Sequence, residues 1–181
     1  MEDSISSFKG WFEANGGKFH SSVVLPQSGQ GLSLCVGSHA SIIEPGAALV
    51  SCPKKIMMVS SHAQNLFFLL DPRSLASQTI MLRFFVVEQY LLQEESFWWP
   101  YIRLLPQPGH ETSLHATTLW NKDDLRWLEG INLGQATHLR KKRWREEFDS
   151  TMLALAQSAP DIAKRVTWSV CLLVNIMHPR F

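Results

Sequence analysis

Between Leu75 and Leu92 the chain reads LASQTIMLRFFVVEQYLL. Placed on a helical period, Leu75, Ile80 to Leu82, Phe84 to Val87 and Tyr90 to Leu92 leave almost no polar face, so a helix here has to be surrounded by other elements. The run from Ile80 to Leu92 falls short of the roughly 20 residues that a membrane-spanning helix needs, and it contains Arg83 and Glu88. A second apolar run, Val166 to Met177, is shorter still. The segment therefore predicts the centre of a packed helical lobe.

A chain of 181 residues is long enough to build that lobe and a smaller unit beside it. Apolar residues at 45% and charged residues at 18% describe a globular chain. The 17 basic and 16 acidic residues nearly cancel, so no overall field recruits nucleic acid or an anionic membrane. Cys35, Cys52 and Cys171 are far apart, odd in number and in no Cys-x-x-Cys spacing, which argues against a disulfide framework or a zinc site. The N-terminus, MEDSISSFKGWF, carries acids and no apolar core of a signal peptide. These features predict an intracellular, reducing location, cytoplasm or nucleus.

Ahead of the apolar helix the pattern is different. Ile5, Phe8, Trp11 and Phe12 recur at helical spacing behind Asp3 or Ser4, and Gly16-Gly17 supplies a stop. Val23 to Leu25, Leu32 to Val36 and Ala47 to Val50 are short β-prone runs separated by PQSG and EPG turns. Beyond residue 92, Asn121 with Asp124 three residues on is a plausible cap. Trp144, Phe148, Met152 and Leu155 form one helical stripe, and a last helix is expected after Pro160-Asp161, running into Trp168 to Val174. The reading is an α+β chain: a helix and strand unit over residues 1–73, then a mainly α-helical lobe over residues 74–181.

Local chemistry is sparse. The glycines of Ser28-Gly29-Gln30-Gly31-Leu32 could admit a ligand close to the backbone, but no phosphate-loop lysine follows and the next element is a strand, so a plain turn is the default. Arg140 to Arg145 is a basic run in which Trp144 should turn inward and Glu146-Glu147 offset the charge, which favours a solvated helix face over a nucleic-acid site. The seven histidines, His110 and His115 among them, form no ligand-spaced set, and no Gly-x-Ser-x-Gly elbow or cysteine with a general base occurs. No catalytic or metal-binding residue is assigned from the residues themselves. The segment SFWWPYIRLLP, Ser96 to Pro106, has the aromatic content of a binding surface, a membrane belt or a core corner.

Taken in order, the pieces resemble the N-terminal half of the SET-domain protein-lysine methyltransferases of the Rubisco-methyltransferase type, which carry a helical insert inside the SET fold. The resemblance runs through a Trp-containing first helix, Ser28-Gly29-Gln30-Gly31-Leu32, Ile42-Ile43-Glu44-Pro45-Gly46 and Cys52-Pro53. It continues through Phe84 to Glu88, the SFWWPYI and Leu105-Pro106 segment, Asp124 to Leu133 and Trp168-Ser169-Val170 with Val174-Asn175. It covers about residues 8 to 175, and Ser-Phe-Trp-x-Pro-Tyr is its most specific part. It implies that the small N-terminal β-strand unit belongs to a SET fold and the helical lobe is its insert.

The resemblance also implies a chemistry: S-adenosylmethionine as cofactor, a lysine of a protein substrate as methyl acceptor, and cofactor contacts from the backbone of Gln30, Gly31 and Leu32. Ser28 stands where some members have an acid, and Met177 where they have an arginine. The family's Asn-His motif and its tyrosine at the methyl-transfer site have no counterpart here, since Tyr90 and Tyr101 both match the insert. The expectation is a truncated part of a methyltransferase, inactive alone; the alternative is a non-enzymatic protein-interaction module built from the helical lobe. Placed by the resemblance, SFWWPYI is expected to be the corner where the insert packs back on the strand unit, with Trp98, Trp99 and Tyr101 mainly core.

Overall fold

A computed structural model describes residues 2–25, 34–37, 42–63, 75–107 and 116–177. The chain is α+β: among the described residues helices predominate, with four strands of two residues each. It divides into two compact units, one of residues 1–57 and 94–105 and the other of residues 58–93 and 106–181. The expected boundary near residue 73 lies outside the described residues. Compactness groups 94–105 with the N-terminal unit, so neither unit is continuous in sequence.

In the first unit, α1 (Glu2–Ala14) turns Phe8, Trp11 and Phe12 onto one side, and Phe12 is buried against Phe19 with ring centroids 4.8 Å apart. The helix stops where expected. Gly16 has φ +87°, in the left-handed region, and the Gly16 and Gly17 amides donate to the carbonyls of Glu13 and Phe12. Gly17 has a second reason: a Cβ there would lie 2.4 Å from the Phe12 ring. Beyond this stop, β1 (Lys18–Phe19) pairs antiparallel with β4 (Val50–Ser51), and β2 (Val23–Val24) pairs antiparallel with β3 (Cys35–Val36). Gly46, at φ +87°, turns the chain ahead of β4 as the Glu-Pro-Gly sequence predicted.

The aromatic segment completes this unit. Its short helix α3 (Trp99–Ile102) has Pro100 in the first turn, where a missing N–H costs nothing, and the Ser96 hydroxyl accepts the Trp98 amide. Tyr101 packs on Phe8 and Phe97 on Trp11, the Trp98 indole donates to the Ile56 carbonyl at 2.9 Å, and Arg103 donates to Ser4 Oγ at 2.8 Å. The residues expected as core are only half-buried: Trp98, Trp99 and Tyr101 keep part of their surface in water, and Phe97 is 49% exposed. Ile102 is the fully buried member. An amphipathic ring with a polar tip settles at a boundary, whereas the aliphatic side chain has nothing to leave outside.

The second unit is built around α2 (Leu75–Leu92), with Met81, Phe84 to Val87 and Tyr90 buried on all sides as the apolar run predicted. Contacts come from the turn Ser60–Ala63, where His62 stacks on Phe85, and from α7 (Trp168–Met177). Asn121 caps α4 (Lys122–Leu125), its Oδ1 accepting the Asp123 and Asp124 amides at 2.8 and 2.9 Å. The long α5 (Asn132–Ser158) buries Thr137, Trp144, Thr151 and Leu155, and Phe148 and Met152 flank that stripe half-buried. Gly134 lets its first turn close on the preceding chain, since a Cβ would lie 2.3 Å from the Leu128 carbonyl oxygen.

The single last helix expected after Pro160 is in fact two, α6 (Pro160–Arg165) and α7. Val166 is extended at φ −73°, ψ 125° and buried, and the Thr167 hydroxyl accepts the Val170 amide, opening a new helix. Burying one β-branched side chain and capping with the next outweighs the loss of continuous helical hydrogen bonds.

Candidate functional site

The predicted cofactor contacts, Gln30, Gly31 and Leu32, lie outside the described residues, as do Ser28, Gly29, His110 and His115. Their flanks are described. Pairing of Val23 with Val36 and Val24 with Cys35 holds Leu25 and Leu34 at the same end of one antiparallel pair. Around it Gly37 donates to the Ser22 carbonyl and the Ser22 amide donates to His20 Nδ1, while the His20 amide bonds to Leu49. Residues 26–33 lie in sequence between these two anchored strands.

Elsewhere the described residues build a scaffold. Among them no group of three or more His, Cys, Asp or Glu is placed to hold a metal ion. Cys171, buried on α7, has its thiol pushed up to about 12 by desolvation, so it is neutral and unreactive at physiological pH. Burial also raises the Tyr101 phenol and the Glu88 carboxyl, the latter opposed by a hydrogen bond from Gln89. In the basic run Trp144 turns inward, Arg145 lies over the Trp168 and Phe148 rings at 5.1 and 5.6 Å, and Lys142 and Arg145 pair with Glu146 and Asp149 along the helix.

Two concavities of the helical unit were not foreseen. One is an open groove of about 510 Å³ at the entry to α5, lined by Leu125, Leu128, Ile131, His138 and Leu139 among others. Gly130, at φ +81°, and Gly134 shape it, and those two glycines four residues apart are the one signal sequence reading could have used. The second is a small, partly open pocket of about 20 Å³ between α2, α5 and α7. Beside it, Arg83 and Glu147 form an ion pair at 3.1 Å, with side chains 6% and 19% exposed. Asn175 is among its lining residues, and its buried Oδ1 has no hydrogen-bond partner among the described residues. In sequence Arg83 is only a charge within an apolar helix, and its partner, 64 positions away, has no local signature.

No protein-family model matches the sequence, and no curated protein matches it. Solved structures do. A structure of Rubisco LSMT bound to sinefungin and monomethyllysine superposes with a TM-score of 0.73 at 17% identity, covering 94% of this chain and 38% of that one. The SET domain of LSMT bound to lysine and AdoHcy gives 0.70 at 19% identity, covering 96% and 38%. The chain therefore has the fold of part of these SET-domain methyltransferases and spans about two fifths of their length.

Proposed function

We propose that this chain is the cofactor-loop strand unit and helical lobe of a SET-domain protein-lysine methyltransferase, and that the 181-residue polypeptide transfers no methyl group by itself. The observation that carries the reading is the superposition over 94% of the chain on a structure bound to sinefungin and monomethyllysine. The order of segments, from Ser28-Gly29-Gln30-Gly31-Leu32 through SFWWPYI to Trp168, supports it independently of the superposition.

On this reading the backbone of Gln30, Gly31 and Leu32, which lie in sequence between the paired strands β2 and β3, holds S-adenosylmethionine. When bound, the cofactor supplies an electrophilic methyl group for in-line attack by a lysine amine. The protein's task is alignment and the exclusion of water, which keeps the amine neutral. The three cysteines, far apart in sequence, odd in number and in no Cys-x-x-Cys spacing, support a reducing compartment, cytoplasm or nucleus.

Nuclear magnetic resonance tests the assignment at the weak affinities a partial site implies. S-adenosylhomocysteine added to the isotopically labelled chain is expected to shift the amides of Gln30, Gly31, Leu32 and the flanking Val24 and Cys35, and Gly31→Val abolishes those shifts. No shift at millimolar ligand, or shifts confined to the α5 groove, would refute it.

A further inference from the structure

His20 is hydrogen-bonded through three of its groups. Its amide donates to the Leu49 carbonyl beside β4 at 2.8 Å, its carbonyl accepts the Val23 amide at 2.9 Å, and its ring Nδ1 accepts the Ser22 amide at 3.1 Å. The Ser22 carbonyl in turn accepts the Gly37 amide, just past β3, at 2.9 Å. One residue thus ties the pair β1 and β4 to the start of β2, and the next bond reaches the end of β3.

The ring's part in this follows from its chemistry. A nitrogen that accepts an amide proton carries none of its own, so the neutral ring has its proton on Nε2. Protonation puts a proton on Nδ1 as well, and the contact becomes donor against donor. Ser22 is 4% exposed, so little water stands ready to replace the bond. The charged and titratable groups on the elements around the ring are Lys18 on β1, Cys35 on β3, Glu44 and Cys52 on either side of β4, Glu2 and Asp3 at the far end of α1, and Lys9 and Glu13 further along it, which pair with each other at 3.9 Å. Among the described residues the Ser22 amide is the ring's one hydrogen-bond partner, so no ion pair compensates the bond lost on protonation.

We infer that His20 is a pH-sensitive latch on the pair β2 and β3: the neutral ring, with its proton on Nε2, holds Ser22 in place, and the imidazolium releases it. The latch rests on this geometry. Its consequence for binding rests on the proposed reading, which assigns the cofactor contacts to Gln30, Gly31 and Leu32, in sequence between those strands; on that reading His20 is a positioning residue for the cofactor.

Nuclear magnetic resonance on the full chain, titrated between about pH 8 and pH 5, tests this. Three results are expected: an unprotonated Nδ1 in the neutral ring, a Ser22 amide shift that follows the titration of the His20 ring, and protection of the Ser22 and Gly37 amides, corrected for intrinsic exchange, that falls about five-fold on protonation, the factor that one ordinary hydrogen bond represents. A neutral ring with its proton on Nδ1, or Ser22 and Gly37 amides indifferent to the titration, overturns the latch. His20→Asn offers an acceptor that does not titrate, so it should keep the protection and abolish its pH dependence. The same pH dependence in the folded variant would trace the effect to another group and overturn the latch as well; the wild-type titration decides the matter if the variant does not fold. Added S-adenosylhomocysteine separates the two claims. Ligand shifts at Gln30, Gly31 and Leu32 that weaken across the same titration support the positioning role, and shifts that do not change across it refute that role. No ligand shift at any pH refutes the cofactor reading, while the ligand-free titration still decides the latch.

Discussion

Arg83 is a guanidinium 6% exposed on a helix enclosed by apolar side chains, and Glu147 supplies its carboxylate at 3.1 Å from the middle of α5. Replacing one partner takes the ion pair from a largely buried group, and breaking such a pair typically costs 3–5 kcal/mol, whereas replacing both with apolar side chains of similar volume is often neutral or stabilising. Glu147→Leu acts on the more buried charge and is expected to cost about 3 kcal/mol. The lower end of the range applies because Glu147's side chain is 19% exposed, so water reaches that side of the pair. Arg83→Met leaves a carboxylate that can lean toward solvent and should cost less, about 1–2 kcal/mol. The double variant should return to within about 1 kcal/mol of wild type, giving a coupling energy above about 2 kcal/mol. Urea unfolding followed by far-ultraviolet circular dichroism measures this. With a slope near 2 kcal/mol per molar, the Glu147→Leu midpoint should fall by about 1.5 M. Additive losses, or a Glu147→Leu cost under about 0.5 kcal/mol, would mean the pair behaves like a surface ion pair, and the enclosed-helix reasoning would be wrong.

Cys171 carries a thiol held up to about 12 in the folded state against 9.0 as its ordinary value, so the native chain keeps a proton that the unfolded chain loses. Its contribution is therefore fully present below pH 9 and is lost as pH rises toward 12, at up to about 1.4 kcal/mol per pH unit. Wild-type and Cys171→Ala stability curves should converge over that window, and a constant gap between them would refute the assignment. Trp98→Phe removes the indole donor to the Ile56 carbonyl and should cost about 1 kcal/mol by chemical denaturation, and no loss would show that water replaces the bond freely. Gly134→Ala puts a Cβ 2.3 Å from the Leu128 carbonyl oxygen and should destabilise by about 1–3 kcal/mol, read as a lowered melting temperature; an unchanged value would mean the turn can open.

The elements that sequence reading located share a property: their signal is local and monotone. The apolar run of α2 needs no knowledge of its neighbours to be recognised as enclosed, and the structure encloses it. Gly16 and Gly17 stop α1 for reasons visible in the residue type, as does the Asn121 cap. The break between α6 and α7 was not legible. No Pro or Gly stands between Arg165 and Trp168, and Val166 leaves the helix because a pocket in the tertiary fold receives it. The half-burial of Trp98 likewise depends on a carbonyl 42 residues away, supplied by Ile56. The order of short motifs over most of the chain conveyed the fold, although no single one did. The polar cluster of the helical unit was least legible, because Arg83, Glu147 and Asn175 are brought together from three helices and each residue alone looks ordinary.

On the proposed reading, this polypeptide holds the cofactor-loop and helical-lobe part of a lysine methyltransferase without completing its active site. Incubation of the pure 181-residue chain with S-adenosylmethionine carrying a radiolabelled methyl group, over a panel of lysine-containing proteins, tests it most directly. The expected result is incorporation no greater than that of a heat-killed control. Label transferred to protein lysine above that control would contradict the claim, and would mean that these residues form a working methyltransferase by themselves.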